Sequence, residues 1–226
     1  MKENIDKQQQ VWDAIAKQWK NYRTKPWKDI ERLMNLILSI DAQKSEISGA
    51  PKTRGFCGKG RILEIGCGNC RNLLEFSKQG FDCYGIDFSK EMLKQAASFA
   101  KQNKIKLKLK YGRAQLIPFQ KGSLDYVLSI AVIHHLKKED HLRALNEIFR
   151  VLKPNGKAII SAWNKPLKAL FKKEELVPWK INDKKYYRYY YFFSYFELKR
   201  LIRKAGFRII KASSPFARNI AFFVKK

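Results

Sequence analysis

The sequence predicts an α/β fold: a doubly wound, mostly parallel sheet with helices on both faces and helices at the N-terminus. Three observations carry this. From residue 60 onward, short apolar runs alternate with amphipathic stretches of helical length. The run Ile62-Leu63-Glu64-Ile65 leads into Gly66-Cys67-Gly68 and then a helical stretch, the strand–turn–helix order of a ligand-binding crossover. Residues 124–132 are nearly all apolar, as strands covered on both faces are.

The elements follow in order. Residues 8–19 carry Val11, Trp12, Ile15 and Trp19 at helical spacing. Pro26 breaks that helix, and a second runs to about residue 40 with Ile30, Leu33, Met34, Ile37 and Leu38 on one face. A loop is expected over 45–59. After the first strand comes a helix over 71–79, then a strand over 82–86 and a helix capped by Ser89. Ile105-Lys106-Leu107-Lys108-Leu109-Lys110 alternates strictly, which predicts an edge strand with one wet face. A strand over 124–132 and a helix over 141–152 follow, then a turn at Pro154-Asn155-Gly156 and a central strand over 157–163. The last elements are a helix over 195–205 and strands over 207–213 and 220–224. Length suits a single domain, with a helical segment over 1–44 and a core over 60–226.

The glycine turn predicts a nucleotide-like ligand. Asp87 lies 21 residues after Gly66, at the end of the next apolar run, where an acid meets ribose hydroxyls. A dinucleotide is excluded, because Arg71 stands where its fingerprint needs a third glycine. Of the four cysteines, Cys67 and Cys70 lie inside the turn and Cys57 and Cys83 outside it. No second CxxC is present, so free thiols are expected and no metal.

Charge points to a polyanionic partner. The chain has 47 Lys and Arg against 20 Asp and Glu, a net charge of +27. Residues 161–226 alone hold 17 basic and 4 acidic residues. Such an excess favours nucleic acid through counterion release, although a lysine-rich proteome gives the same composition. No apolar run reaches membrane-spanning length and residues 1–20 hold no signal-peptide core, so a cytoplasmic protein is expected.

The spacing Glu64-x-Gly66-x-Gly68-x-Cys70 resembles the first motif of the class I S-adenosylmethionine (SAM) methyltransferases, which have a Rossmann-like sheet. The resemblance implies SAM as cofactor, with Glu64, Gly66, Cys67, Gly68, Asp87, Phe88, Arg113, Ala114 and Ser129 around it. Cys70 replaces the family's third glycine and lacks glycine's freedom to take positive φ. Arg113 stands where the family has an acid, and arginine has no acceptor for the adenine amino group.

Further segments resemble the tRNA wobble-uridine methyltransferases of the Trm9 type: Ser129-Ile130-Ala131-Val132-Ile133-His134-His135, Arg23-x-Lys25-Pro26-Trp27, Ser161-Ala162-Trp163, Val177-Pro178-Trp179-Lys180 and Arg188-Tyr189-Tyr190-Tyr191-Phe192-Phe193. The resemblance implies esterification of the carboxylate of 5-carboxymethyluridine at position 34 of tRNA. It also implies a small zinc-binding partner of the Trm112 type, expected on the edge strand from Ile105 to Lys110. On the substrate side stand Arg23 and Lys25, to orient the carboxylate or a phosphate. One of His134 and His135 is expected to donate to the substrate while the other faces the core. Trp163 stacks on the uracil or walls the pocket. His141 is expected at the surface, and the aromatic run 186–196 either stacks on bases or packs in the core. Two alternatives stay open: a methyltransferase for a small molecule, and a non-catalytic RNA-binding protein of the same fold.

Overall fold

The structure is a computed structural model and describes residues 2–22, 25–47, 59–164 and 172–226. Two N-terminal helices, α1 (Lys2–Tyr22) and α2 (Lys28–Ile47), precede β1 (Lys59–Ile65). A 3₁₀ turn (Arg71–Leu73) opens α3 (Leu74–Lys78); then come β2 (Phe81–Asp87), α4 (Lys90–Gln102) and β3 (Lys108–Tyr111). β4 (Leu124–Ile130) ends in a second 3₁₀ turn (Ile133–His135), followed by α5 (Lys138–Val151) and β5 (Leu152–Trp163). The chain closes with β6 (Glu174–Ile181), β7 (Lys184–Tyr191), α6 (Tyr195–Lys204), β8 (Arg208–Ala212) and β9 (Asn219–Lys225).

Seven strands form one sheet in the order β3-β2-β1-β4-β5-β9-β8. β1 to β5 are parallel, and β9 runs antiparallel to both β5 and β8. Strand order reverses between β1 and β4, so a crevice opens at their carboxyl ends. Alternate residues of each central strand feed opposite faces. Leu63, Val127 and Ile160 pack under α5 and α6 with Leu145, Ile148, Leu198 and Ile202. Ile62, Leu128 and Ile159 pack under α2 with Ile30, Met34 and Ile37. Both faces are covered, which is why β2 and β4 read as nearly continuous apolar runs. No helix among the described residues is long and apolar enough to cross a membrane.

Most expected elements form, with informative differences. Ser89 accepts from the Met92 N–H and caps α4. The edge strand is shorter than its alternation suggests: only Lys108–Tyr111 pairs with β2, and residues 105–107 lie outside the ladder. Pro154-Asn155-Gly156 is a bulge inside β5 rather than a break before it, with Asn155 at φ 65. α2 continues to Ile47, past the expected end; residues 48–58 of the expected loop, Cys57 among them, lie outside the described residues. The hairpin β6–β7 was not anticipated. Pro178 and the lysines disguise it, yet Asn182, at φ 50, sits in its turn. His141 is buried rather than at the surface: its ring packs on Tyr191 and Phe193, and its Nε2 bonds the Leu136 carbonyl. Tyr190, Tyr191, Phe192 and Phe193 are also buried, so this part of the aromatic run is core.

Cys70 overturns the expectation that a side chain there forbids positive φ. It sits at φ 61, in the left-handed region. That conformation costs an L-residue about 1–2 kcal/mol. Packing offsets the strain, because the thiol fills the space above Gly85 of β2. A Cβ on Gly85 would meet Cys70 Sγ at 2.9 Å and Cys67 Sγ at 3.0 Å. Gly85→Ala is therefore expected to destabilise the protein by about 1–3 kcal/mol through overpacking. Adding Cys70→Gly removes the nearest clash, so the double variant should lose less than the sum of the two single losses in denaturant unfolding. Strictly additive losses would refute the packing account.

Candidate active site

The crevice is built around the end of β1. Gly66 takes φ +56, and a Cβ there would meet Val132 Cγ2 at 2.7 Å, so only glycine fits. Gly68 takes φ +54. Its N–H donates to Asp87 Oδ2 at 2.9 Å, and the Ser89 N–H donates to Asp87 Oδ1 at 2.9 Å. One carboxylate thus joins the turns that follow β1 and β2. Burial pushes Asp87 up to about 6, against the opposing pull of the Ser89, Gly68 and Phe88 backbone donors.

Glu64 lies behind the turn. Asn72 Nδ2 donates to its Oε1, while its buried Oε2 has no hydrogen-bond partner among the described residues. Burial pushes this carboxyl up to about 7, opposed by the Asn72 hydrogen bond and the Arg71 charge. Cys67 is pushed well up by its hydrogen bond with Cys70 and by burial; Cys67, Cys70 and Cys83 are free and buried. No cluster of three or more His, Cys, Asp or Glu suited to a metal occurs among the described residues.

A cavity of about 450 Å³ extends from this turn across β4. Glu64, Gly66, Cys67, Gly68, Asp87, Phe88, Arg113 and Ala114 line one part of it. His134, His135 and Trp163 line it as well. Ser129 does not; it is buried within β4, level with Ile65 of β1. Lys25 is exposed and outside the lining, although its carbonyl accepts from Arg71 Nε at 3.2 Å. Arg23 lies outside the described residues.

Both histidines face the cavity, rather than one facing the core. Ala131, at φ 58, turns the chain off β4 and brings them there. His134 Nδ1 accepts from the Trp163 N–H at 3.1 Å, which assigns its proton to Nε2. His135 Nδ1 lies 2.9 Å from the Tyr189 carbonyl, an acceptor, which assigns its proton to Nδ1 and leaves Nε2 a lone pair. Burial holds both rings neutral: His134 falls well below its ordinary range and His135 to about 3. Tyr190 stacks on His134 with centroids 5.2 Å apart, and Trp163 lies 4.7 Å from Tyr190.

The roof is what sequence reasoning missed. Trp12, Trp19 and Trp27 line the cavity, as does Gln8. Gln8 accepts from the Tyr189 N–H at 2.9 Å and donates to the Tyr187 carbonyl at 3.1 Å, so its amide pairs with the open edge of β7. Trp12 meets His135 edge-on at 4.9 Å. The signal was present: Trp12 and Trp19 stand seven residues apart, on one face of α1. Arg113 also lines the cavity, and its guanidinium reaches the Tyr111 hydroxyl at 3.4 Å.

Residues 63–160 match a family model described as a methyltransferase domain. An Encephalitozoon cuniculi protein described as a methyltransferase is 32% identical over 161 residues, covering 66% of this chain and 70% of that protein. The chain belongs to the methyltransferase family. It is 28% identical over 68% of its length to the Macaca fascicularis tRNA (carboxymethyluridine(34)-5-O)-methyltransferase ALKBH8, and spans 19% of that protein. It is 30% identical over 62% of its length to the ubiquinone/menaquinone biosynthesis C-methyltransferase UbiE of Citrifermentans bemidjiense, and spans 61% of it. Its fold matches the complex of the Haloferax volcanii Trm112 methyltransferase activator with a methyltransferase, at TM-score 0.65, 16% identity and 96% coverage of both chains.

The fold is that of SAM-dependent methyltransferases, and the residues of this one fit the cofactor. The glycine turn leaves room for a close approach, Asp87 can accept from ribose hydroxyls, and the unpartnered Glu64 Oε2 suits the methionine ammonium. Bound SAM supplies a methyl group on a sulfonium. The raised Glu64 carboxyl has a consequence for the cofactor-free methyltransferase. Between pH 4.5 and about 7 the folded chain keeps a proton that the unfolded chain has lost. The contribution of Glu64 to stability therefore falls as pH rises through that window, while the lowered His134 and His135 contribute the opposite slope. The melting temperature of Glu64→Gln should therefore rise more, or fall less, with pH across the window than that of wild type. Identical slopes would contradict this titration.

Proposed function

We propose that this methyltransferase esterifies the carboxylate of 5-carboxymethyluridine at the wobble position of tRNA, in the cytoplasm. One observation carries the reading: the two imidazoles that face the cavity beside Trp163, His134 and His135, are held neutral by burial and are poor proton acceptors at neutral pH. A general base works best with a pKa near the operating pH. A carboxylate arrives already ionised and needs none. Alignment of such a nucleophile with the methyl donor is the main task left, and proximity alone can contribute about 7–11 kcal/mol.

In this reading Trp163 stacks on the uracil, and the His134 Nε2–H donates to the substrate. Arg23 and Lys25 orient the carboxylate or a nearby phosphate; the exposed Lys25 suits the phosphate. Glu64, Gly66, Cys67, Gly68, Asp87, Phe88 and Ala114 hold SAM, and Ser129 supports their strand from within. A Trm112-type partner docks on β3, whose outer edge is open at the end of the sheet. The similarity to ALKBH8 and the +27 charge support this substrate.

A second reading keeps the chemistry and makes the acceptor a small molecule; the similarity to UbiE favours it. Methyl-labelled SAM separates the two. The first reading expects label on tRNA that mild alkali releases, because the product is an ester. Base-stable label on tRNA rules out the ester, and label that never enters tRNA favours the second reading. Trp163→Ala should lower kcat/KM for tRNA roughly tenfold or more by loss of stacking, with SAM affinity unchanged in calorimetry.

A further inference from the structure

We infer that the turn between β8 and β9 docks single-stranded RNA beside the reacting nucleotide, with Phe216 stacking on an unpaired base and Arg218 facing phosphate. This inference rests on the tRNA reading above. Phe216 is 90% exposed, more than any other large hydrophobic residue among those described. A lone exposed apolar residue is ordinary. What sets this one apart is that its turn is tied down. The buried Asn164 donates through Nδ2 to the carbonyls of Pro215, at 2.6 Å, and Ala217, at 3.0 Å. Its own N–H donates to the Arg218 carbonyl at 2.9 Å. Inside the turn, the Phe216 N–H donates to Ser214 Oγ at 3.2 Å, and the Ala217 N–H to the Ser214 carbonyl at 3.0 Å. The aromatic ring is thus presented to solvent on a fixed support.

Its position is equally specific. Asn164 directly follows Trp163, which walls the cavity, and Trp163 pairs with Asn219 at the start of β9. Because β9 runs antiparallel to β5, the turn before it lies at the carboxyl end of the sheet, the end that holds the cavity. Residues 213–219 contain no acid, and Arg218 is exposed. A solvent-facing aromatic beside a cation is the recognition chemistry of unpaired nucleotides, since every base offers a π face and a phosphate. In the aromatic run ahead of α6, Tyr191 to Phe193 are buried in the core and Tyr190 lines the cavity, so none of these four presents a ring to solvent.

The test titrates a fluorescein-labelled tRNA anticodon stem–loop with the full chain, read by anisotropy from about 50 to 200 mM salt. Phe216→Ala should weaken binding by about tenfold at every salt concentration, with the salt slope unchanged, and Phe216→Trp should restore it. Arg218→Ala should reduce the salt slope by about one. Melting temperature and SAM affinity should stay at wild-type values for all three. If wild type binds the stem–loop and Phe216→Ala binds equally well, the docking turn is refuted while the tRNA reading stands. If wild type does not bind, the tRNA reading itself fails. If Phe216→Ala instead converts a dimer to a monomer in sedimentation with RNA affinity intact, the residue is a self-association contact and the inference is overturned.

Discussion

One buried carboxylate organises the site. Asp87 accepts from Gly68 with one oxygen and from Ser89 with the other, so the turns leaving β1 and β2 cannot move independently. The linkage continues outward. The Ser89 hydroxyl accepts from the Met92 N–H, capping α4, and donates to Asp13 on α1. Asp13 also accepts from the Glu91 N–H. A single path of hydrogen bonds therefore runs from the floor of the cavity, through a helix cap, to its roof. In the low-dielectric interior such a network rigidifies what it joins.

The two parts of the cavity differ in electrical character. Around the glycine turn, Glu64 and Asp87 are raised carboxyls, ready for a cationic group and for hydroxyl donors. Along β4 and β5, neutral imidazoles and indoles offer aromatic faces and a few directed hydrogen bonds. Many of the chain's lysines and arginines are exposed, where their charge acts at long range, while Arg71, Arg113 and Lys137 line the cavity itself.

Much of the sheet was legible in the sequence because its period is local. Apolar runs marked β2 and β4, Ser89 marked a helix start, and alternation marked β3 as an edge. The turn and Asp87 were legible because glycine and an acid at fixed spacing have few other uses. The rest depends on contacts between distant segments. Nothing local to Gln8 reveals that its amide meets β7, some 180 residues away. His141 looked like a surface residue because its neighbours are charged, yet Tyr191 and Phe193 arrive from another element to bury it. Cys70 looked incompatible with left-handed backbone, because the vacancy above Gly85 that accommodates its thiol belongs to the next strand.

Gln8 has one more consequence. The outer edge of β7 is a row of peptide groups, of the kind that recruits strands from other molecules. Gln8 occupies that row with a side chain, taking the Tyr189 N–H and the Tyr187 carbonyl, while His135 takes the Tyr189 carbonyl. The helix that roofs the cavity is also the guard of a sticky edge. Any excursion of α1 that breaks the Gln8 contact uncovers β-pairing surface at the same moment, so the roof of the cavity and resistance to aggregation draw on the same contact.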